Sequence, residues 1–447
     1  MHRVLAEIQH GLRDARGDRQ NGVPVVAHLR ASLTPDTRPF KESRDYRLLT
    51  AGALITGLGT QASLVALPYQ VYVVTHKPVL VGLLGLVELG PLAAGSLFGG
   101  ALADRFDRRR LLLLYQLALV VVAGALAAAS FLGSPPVWLL YVLAGALAGA
   151  GQLERVVRAS IVPNVVRGEL LRPALANTFG LIQLTMVVGP GVGGLLIAAF
   201  HVQAAYTADA VSCLGMAVAA AAMSPQPPAG VERHEPVLRS IASGLRFVAS
   251  KRALLGSFAI DLNAMTFGMP RALFPVMSLT LYHAGAAGTG ALFAAVSAGA
   301  TVAALTTGWL GRARYLGRIV IGAVTIWGAA VAAAGLMPSI VLAALLLALA
   351  GAADSVSAVC RGTIAQTLTP DHMRGRMSSV FSLVVAGGPR LGDIESGSVA
   401  SLTSVRAAVV SGGLACLAGV ALIVIAFPEL ASYDGDAAEA RPAPAGA

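Results

Sequence analysis

Charge is scarce in this chain. Only 13% of its 447 residues are Asp, Glu, Lys or Arg, about half of what a soluble chain carries. That excludes an ordinary water-soluble globule. Cysteine is nearly absent: Cys213, Cys360 and Cys416 all fall inside apolar runs, which excludes a disulfide scaffold and a cysteine-rich metal site. The eight histidines show no metal-ligand spacing, so no metal is expected. There is no Gly-x-x-x-x-Gly-Lys-[Ser/Thr] phosphate loop, hence no expected nucleotide partner. No Ser/His/Asp or Cys/His set stands out, so an enzyme is not expected, nor an organic cofactor. Residues 1–44 lack the apolar stretch of a signal peptide.

What the chain does have is apolar runs. A membrane-spanning helix needs about 20 apolar residues, and twelve segments qualify: 46–75, 79–103, 111–132, 136–158, 170–199, 203–223, 253–281, 286–310, 316–337, 339–361, 376–401 and 405–427. The reading is an all-α membrane protein. Its net charge of +10 is gathered at helix ends, where it sets topology, so the lipid bilayer is the expected partner and nucleic acid is not. Nine Lys/Arg precede residue 48, nineteen lie in or beside the even-numbered connections, and Lys77 and Arg406 alone mark the odd-numbered ones. By the positive-inside rule both termini are cytoplasmic, which requires an even number of spans in a multi-pass protein of the cytoplasmic membrane.

The two halves repeat. Pro68 and His76 recur as Pro275 and His283, and Arg158-Ala-Ser-Ile161 recurs as Arg361-Gly-Thr-Ile364. This implies two six-helix bundles related as parallel repeats. The expected division is a cytoplasmic tail over 1–44, an N-terminal bundle over 45–223, a linker with an amphipathic helix over 224–252, a C-terminal bundle over 253–427 and a disordered tail over 428–447.

The second connection reads Gly99-Gly100-Ala101-Leu102-Ala103-Asp104-Arg105-Phe106-Asp107-Arg108-Arg109-Arg110. Gly99 and Gly100 permit close helix approach, and Asp104 is placed to cap the next helix. Gly100, Asp104, Arg105, Arg108 and Arg109 resemble the signature loop between helices 2 and 3 of the major facilitator superfamily, with Asp107 where that pattern usually has glycine. Together with Ala-Leu-Pro-Tyr-Gln at 66–70 and Val-Ala-Gly-Gly-Pro-Arg-Leu-Gly-Asp at 385–393, the chain looks like the enterobactin-exporter-like efflux branch. The resemblance implies a major facilitator fold and an alternating-access carrier. It also implies that in the outward-facing state Arg155 or Arg158, near Glu154, braces Asp104 across helices as a gate.

Ionisable groups inside a bilayer cost several kcal/mol each and mark functional places. Asp261 and Asn263 lie about 12–15 Å into the seventh segment at 1.5 Å per residue, and Asp261 is the candidate for reversible proton binding. Arg271 follows three turns on, between Pro270 and Pro275, which predict a bent helix with freed carbonyls. In the eleventh segment Arg390 and Asp393 share a face and can neutralise each other. Gly387-Gly388-Pro389 just before them predicts a broken or bent helix, and Glu395 follows. Glu88, Asp209 and Asp354 stand as single buried charges. Gly189, Pro190, Gly193 and Gly194 form a pivot or packing seam in the fifth segment.

The expected function is proton-driven efflux of a small amphipathic molecule (siderophore, drug or metabolite) by a monomer. A facilitator or importer of a small solute, or a transporter-like sensor without net flux, are the alternatives.

Overall fold

The computed structural model describes residues 36–228, 237–370 and 373–434, and the two predicted tails lie mostly outside that range. Among the described residues every regular element is helical. Nine helices are long and apolar enough to span a bilayer. One of them, Gly168–Ala222, contains two spans, because Phe200 and His201 leave helical geometry. Two further crossings fall short of the apolar criterion, one interrupted and one more polar. Together these make twelve.

The spans are α1 (Arg44–Thr75), α2 (Pro78–Arg105), α3 (Arg108–Phe131), α4 (Val137–Val165), α5 and α6 (171–199 and 202–222). They continue as α7 (Arg252–Phe267, prolonged to Leu281 by short turns), α8 (Gly285–Thr306), α9 (Leu316–Leu336), α10 (Ile340–Leu368), α11 (Arg374–Leu402) and α12 (Val405–Ala426). The linker helix is Val237–Ser250.

Starts and stops follow from local chemistry. Ser43, Asp107, Ser339 and Ser404 each cap a helix by accepting a backbone N–H from its first turn. Three span exits are histidines with positive φ: His201 at φ 63° and ψ 178°, His283 at φ 50°, and His76 at φ 54° in the left-handed region. Histidine tolerates that geometry better than β-branched residues do. The repeat seen in sequence thus includes backbone conformation, since His76 and His283 turn alike.

All the even-numbered connections gather at one end, here called the basic end. Asp45 Oδ2 accepts the Ser224 N–H at 3.2 Å, tying the entry of α1 to the exit of α6. Arg252 pairs with Glu429 at 2.7 Å, tying the entry of α7 to the exit of α12. The bundles meet at the opposite, far end. There the Val79 N–H reaches Ser401 Oγ at 2.8 Å, joining α2 to α11, and the backbones of Gly194 and Gly290 join α5 to α8. A Cβ on Gly194 would stand 2.9 Å from Gly290 Cα and 2.7 Å from the Ala286 carbonyl, so only glycine allows this crossing.

The apolar core repeats the pattern. One continuous cluster joins Ala62, Val65 and Ile197 of the first bundle to Phe274, Ala286 and Leu292 of the second. At the basic end the first bundle has a cluster of its own around Tyr46, Leu112, Ile161 and Met216. The molecule is closed at its far end and parted at its basic end.

Of the two expected backbone breaks, the bend at Pro270 is present and the one in the eleventh span needs correction. The interruption in the second bundle is in α7, where Gly268, Met269 and Pro270 leave the helix before a 3-10 turn at Arg271–Leu273 and a π turn at Met277–Leu281. Helix α11 is unbroken through Gly387-Gly388-Pro389. Gly388 and Gly392 are there because α7 packs against them: a Cβ on Gly392 would meet the carbonyl oxygens of Met265 and Thr266 at 2.5 and 2.8 Å.

Candidate functional site

The chemistry of the signature turn is helix capping. Arg108 donates to the carbonyls of Ala103 and Ser160 at 3.2 and 3.1 Å, and Arg109 to those of Ala220 and Ala221 at the end of α6. Guanidinium groups belong at helix C-termini, where carbonyls lack partners and the dipole is negative. Asp107, not Asp104, caps α3: Oδ1 accepts the Arg110 N–H and Oδ2 the Gln226 N–H, each at 3.0 Å. Asp104 ends α2 and reaches only Arg108, four residues on, at 3.9 Å. The expected cross-helix brace from Asp104 to α4 is absent from this arrangement. Arg158 pairs instead with Glu154 on its own helix at 2.8 Å. Arg105 is exposed, and Gly100 faces open space while Gly99 takes the contact with Val156 of α4.

Where the bundles meet, the charges pair across the seam. Arg390 of α11 reaches Glu88 of α2 at 3.6 Å. Arg390 and Asp393 do not neutralise each other, for Asp393 Oδ1 accepts the Ala272 N–H at 3.1 Å, a donor left over by the break in α7. Asp393 also lies against Gly82 and Gly85 of α2, where any side chain would collide. Arg271 stands one residue from Ala272, half-buried, within electrostatic range of Asp393, Arg390 and Asp354. Arg155 of α4 is exposed, with Glu154, Arg158 and Arg390 within electrostatic range. Glu395 makes no ion pair among the described residues.

A second cluster lies inside the C-terminal bundle. Arg361 of α10, 4% exposed, pairs with Asp261 of α7 at 2.8 Å and Asp354 of its own helix at 3.6 Å, and donates to Ser357 Oγ at 2.8 Å. Glu88 and Asp354 are therefore not single charges. Asn263 turns away from this cluster and gives its amide to the Cys416 carbonyl at 2.9 Å, so it ties α7 to α12.

Asp209 pairs with no cation among the described residues. It is wholly buried between α6 and α1, accepting from Ser63 Oγ at 2.6 Å and Thr60 Oγ1 at 3.4 Å, with the Cys213 thiol 3.7 Å away. In α5, Gly189 and Gly193 fit against Gln61 and Ala62 of α1, and the Pro190 carbonyl sits over Gly290 of α8. That stretch is a seam on both sides at once.

Sequence reasoning missed two members of the site. Trp327 of α9 donates its indole N–H to the Gly268 carbonyl at 2.7 Å, satisfying the acceptor that the α7 break releases. A lone tryptophan in an Ala/Gly-rich helix was the available signal. Arg361 was legible as the repeat of Arg158, but not as the partner of Asp261.

A family model described as transmembrane secretion effector matches residues 36–446. The enterobactin exporter EntS of Shigella boydii serotype 4 is 30% identical over 366 residues, which cover 81% of this chain and 86% of that protein. The enterobactin exporter EntS of Citrobacter koseri is 29% identical over the same shares. Among solved structures, a bacterial homologue of the human lysosomal transporter Spinster, in an inward-facing and unoccupied conformation, superposes with TM-score 0.66 at 15% identity, over 90% of this chain and 98% of that one. A bacterial homologue of the iron transporter ferroportin, in an inward-facing state, gives TM-score 0.62 at 18% identity, over 87% and 99%.

Proposed function

Because the chain belongs to the transmembrane secretion effector family of major facilitator transporters, and is thus a membrane transporter and not an enzyme, we propose that it drives efflux of a small amphipathic molecule by inward proton flow. The basic end faces the cytoplasm, and one cavity between the bundles opens to each side in turn. The observation that carries this is the uneven contact between bundles. Core and backbone join them at the far end, while at the basic end the first bundle keeps a core of its own. An open cytoplasmic side is the state that admits cargo for export.

The proton site is the Asp261–Arg361–Asp354 cluster. Two carboxylates against one guanidinium leave one surplus negative charge in a buried place, and a single proton removes it. Asp261 sits 12 residues before the end of the α7 interruption, on the helix whose break touches Asp393 at the seam. Proton uptake at Asp261 loosens α7 from α10 and so biases how the seam packs. The driving force is adequate: one elementary charge crossing 100 mV supplies about 2.3 kcal/mol, roughly a 50-fold gradient.

Purified protein in sealed vesicles tests the reading. A pH step should drive cargo movement, and Asp261→Asn should abolish its dependence on that step. Cargo bound but never moved marks a sensor, and equal movement with and without the step marks a facilitator.

A further inference from the structure

The break in α7 creates a helix start inside the membrane. The outer piece of α7 begins at Arg271, behind Pro270, whose side chain has no acceptor with which to cap it. Two of the first amides find partners within the break. Arg271 gives its N–H to the Met269 carbonyl at 2.9 Å, and Leu273 gives its own to that of Pro270 at 3.0 Å. The N–H between them, on Ala272, goes to Asp393 Oδ1 at 3.1 Å. Ala272 is buried, so an unpaired amide there would be costly. A carboxylate from α11 thus caps a helix start on α7, where the helix dipole favours negative charge.

The capping residue also lies on the contact between bundles. Asp393 Oδ2 stands 3.1 Å from where a Cβ on Gly85 of α2 would be, and the Asp393 carbonyl is pressed against Gly82. One turn earlier, Arg390 reaches Glu88 of α2 at 3.6 Å. The other group released by the break, the Gly268 carbonyl, is taken by Trp327 inside the second bundle. Gly388 and Gly392 let α11 lie close to α7, but glycines fasten nothing. The Asp393 bond is the one hydrogen bond between α7 and α11 among the described residues. We propose that Asp393 is the positioning residue through which the state of α7 reaches the far-end closure. While the cap holds, the Arg390–Asp393 turn of α11 stays seated against Gly82, Gly85 and Glu88. When α7 shifts, Ala272 leaves Oδ1, the carboxylate loses its donor, and that turn gives up its seat on α2. This deepens the proton reading above and rests on it, since Asp261 lies on the inner piece of the same interrupted helix.

The test reads far-end closure in membranes carrying the full chain. Val79 and Ser401 touch across the seam, so the initial rate of disulfide formation by a Val79→Cys, Ser401→Cys pair reports it. Asp261→Asn keeps that side chain neutral, as a bound proton would, and should shift the rate at least about five-fold. With Asp393→Ala added, the same substitution should shift it less than about two-fold. Asp393→Asn keeps an oxygen for the Ala272 N–H and should restore the full response, which a role in bulk packing alone would not require. Gly85→Ala reaches the link from the other side: its methyl pushes α2 off Asp393 while the cap stays, and it too should flatten the response. Rates are compared rather than yields, so a closure weakened by a variant remains readable, and each variant must elute with the parent in size exclusion. A full response in folded Asp393→Ala or Gly85→Ala overturns the inference and leaves the proton reading standing. A response lost in Asp393→Asn as well as in Asp393→Ala overturns the cap as the link, and the inference with it. No response to Asp261→Asn while Asp393 and Gly85 are intact overturns the proton reading itself.

Discussion

Arg158 and Arg361 occupy the same place in the two repeats, yet they are neutralised differently. Four residues before Arg158 stands Glu154, and the pair closes within α4. Four residues before Arg361 stands Ser357, a neutral donor-acceptor, and the countercharge comes from Asp261 on α7. A charge satisfied within one helix can ride with that helix and report nothing. A charge satisfied across two helices resists any movement between them. The first bundle therefore holds its arginine as a fixture, and the second uses the same arginine as a latch on the helix that is interrupted.

The comparison can be broken most severely at Asp261. Asp261→Asn should reduce pH-driven efflux in sealed vesicles to background, whereas Glu154→Gln should leave its pH dependence in place. Stability should divide next. Arg361→Met leaves the buried Asp261 and the half-buried Asp354 without their cation and should cost about 3–5 kcal/mol. Arg158→Met leaves Glu154 beside Arg155 and should cost about 1–3 kcal/mol. Thermal unfolding in detergent reads the difference. A sharper version moves the countercharge: Ser357→Glu added to Asp261→Asn recreates the arrangement of the first bundle. It should recover most of the lost stability and none of the proton coupling. Efflux recovered along with stability would refute the latch. Gly194→Val should part α5 from α8 at the far end, seen as loss of the disulfide otherwise formed by a Val79→Cys, Ser401→Cys pair. The smallest effect belongs to the cap: Asp107→Ala should cost about 0.5–2 kcal/mol and leave transport measurable.

Much of the fold was legible because lipid imposes a simple grammar. Apolar runs of bilayer length, a basic bias in alternate connections and the recurrence of Pro68/His76 as Pro275/His283 define the spans without knowledge of packing. Individual site residues were legible as exceptions to apolarity. Their partners were not, because pairing depends on how each helix is rotated about its axis. Arg390 and Asp393 share a helical face, but α2 presents Glu88 to one and the α7 break presents Ala272 to the other. Gly-Gly-Pro was misread as a break for a related reason: glycines that let a neighbouring backbone approach look the same in sequence as glycines that end a helix. Asp104 and Asp107 differ by three residues, less than one turn, and only the observed end of α2 at Arg105 decides which of them caps.

The double use of Asp107 has a geometric consequence. Its second oxygen fastens Gln226 to the first bundle, while Gly244 of the linker helix lies against the Arg376 carbonyl of α11 in the second. Between Gln226 and the first residue of that helix, Val237, there are eleven residue steps, which span at most about 3.6 Å each when fully extended. The covalent leash joining the bundles is therefore no longer than roughly 40 Å, whatever path it takes. That length sets an upper bound on how widely the mouth can gape, and so on the girth of anything that enters it.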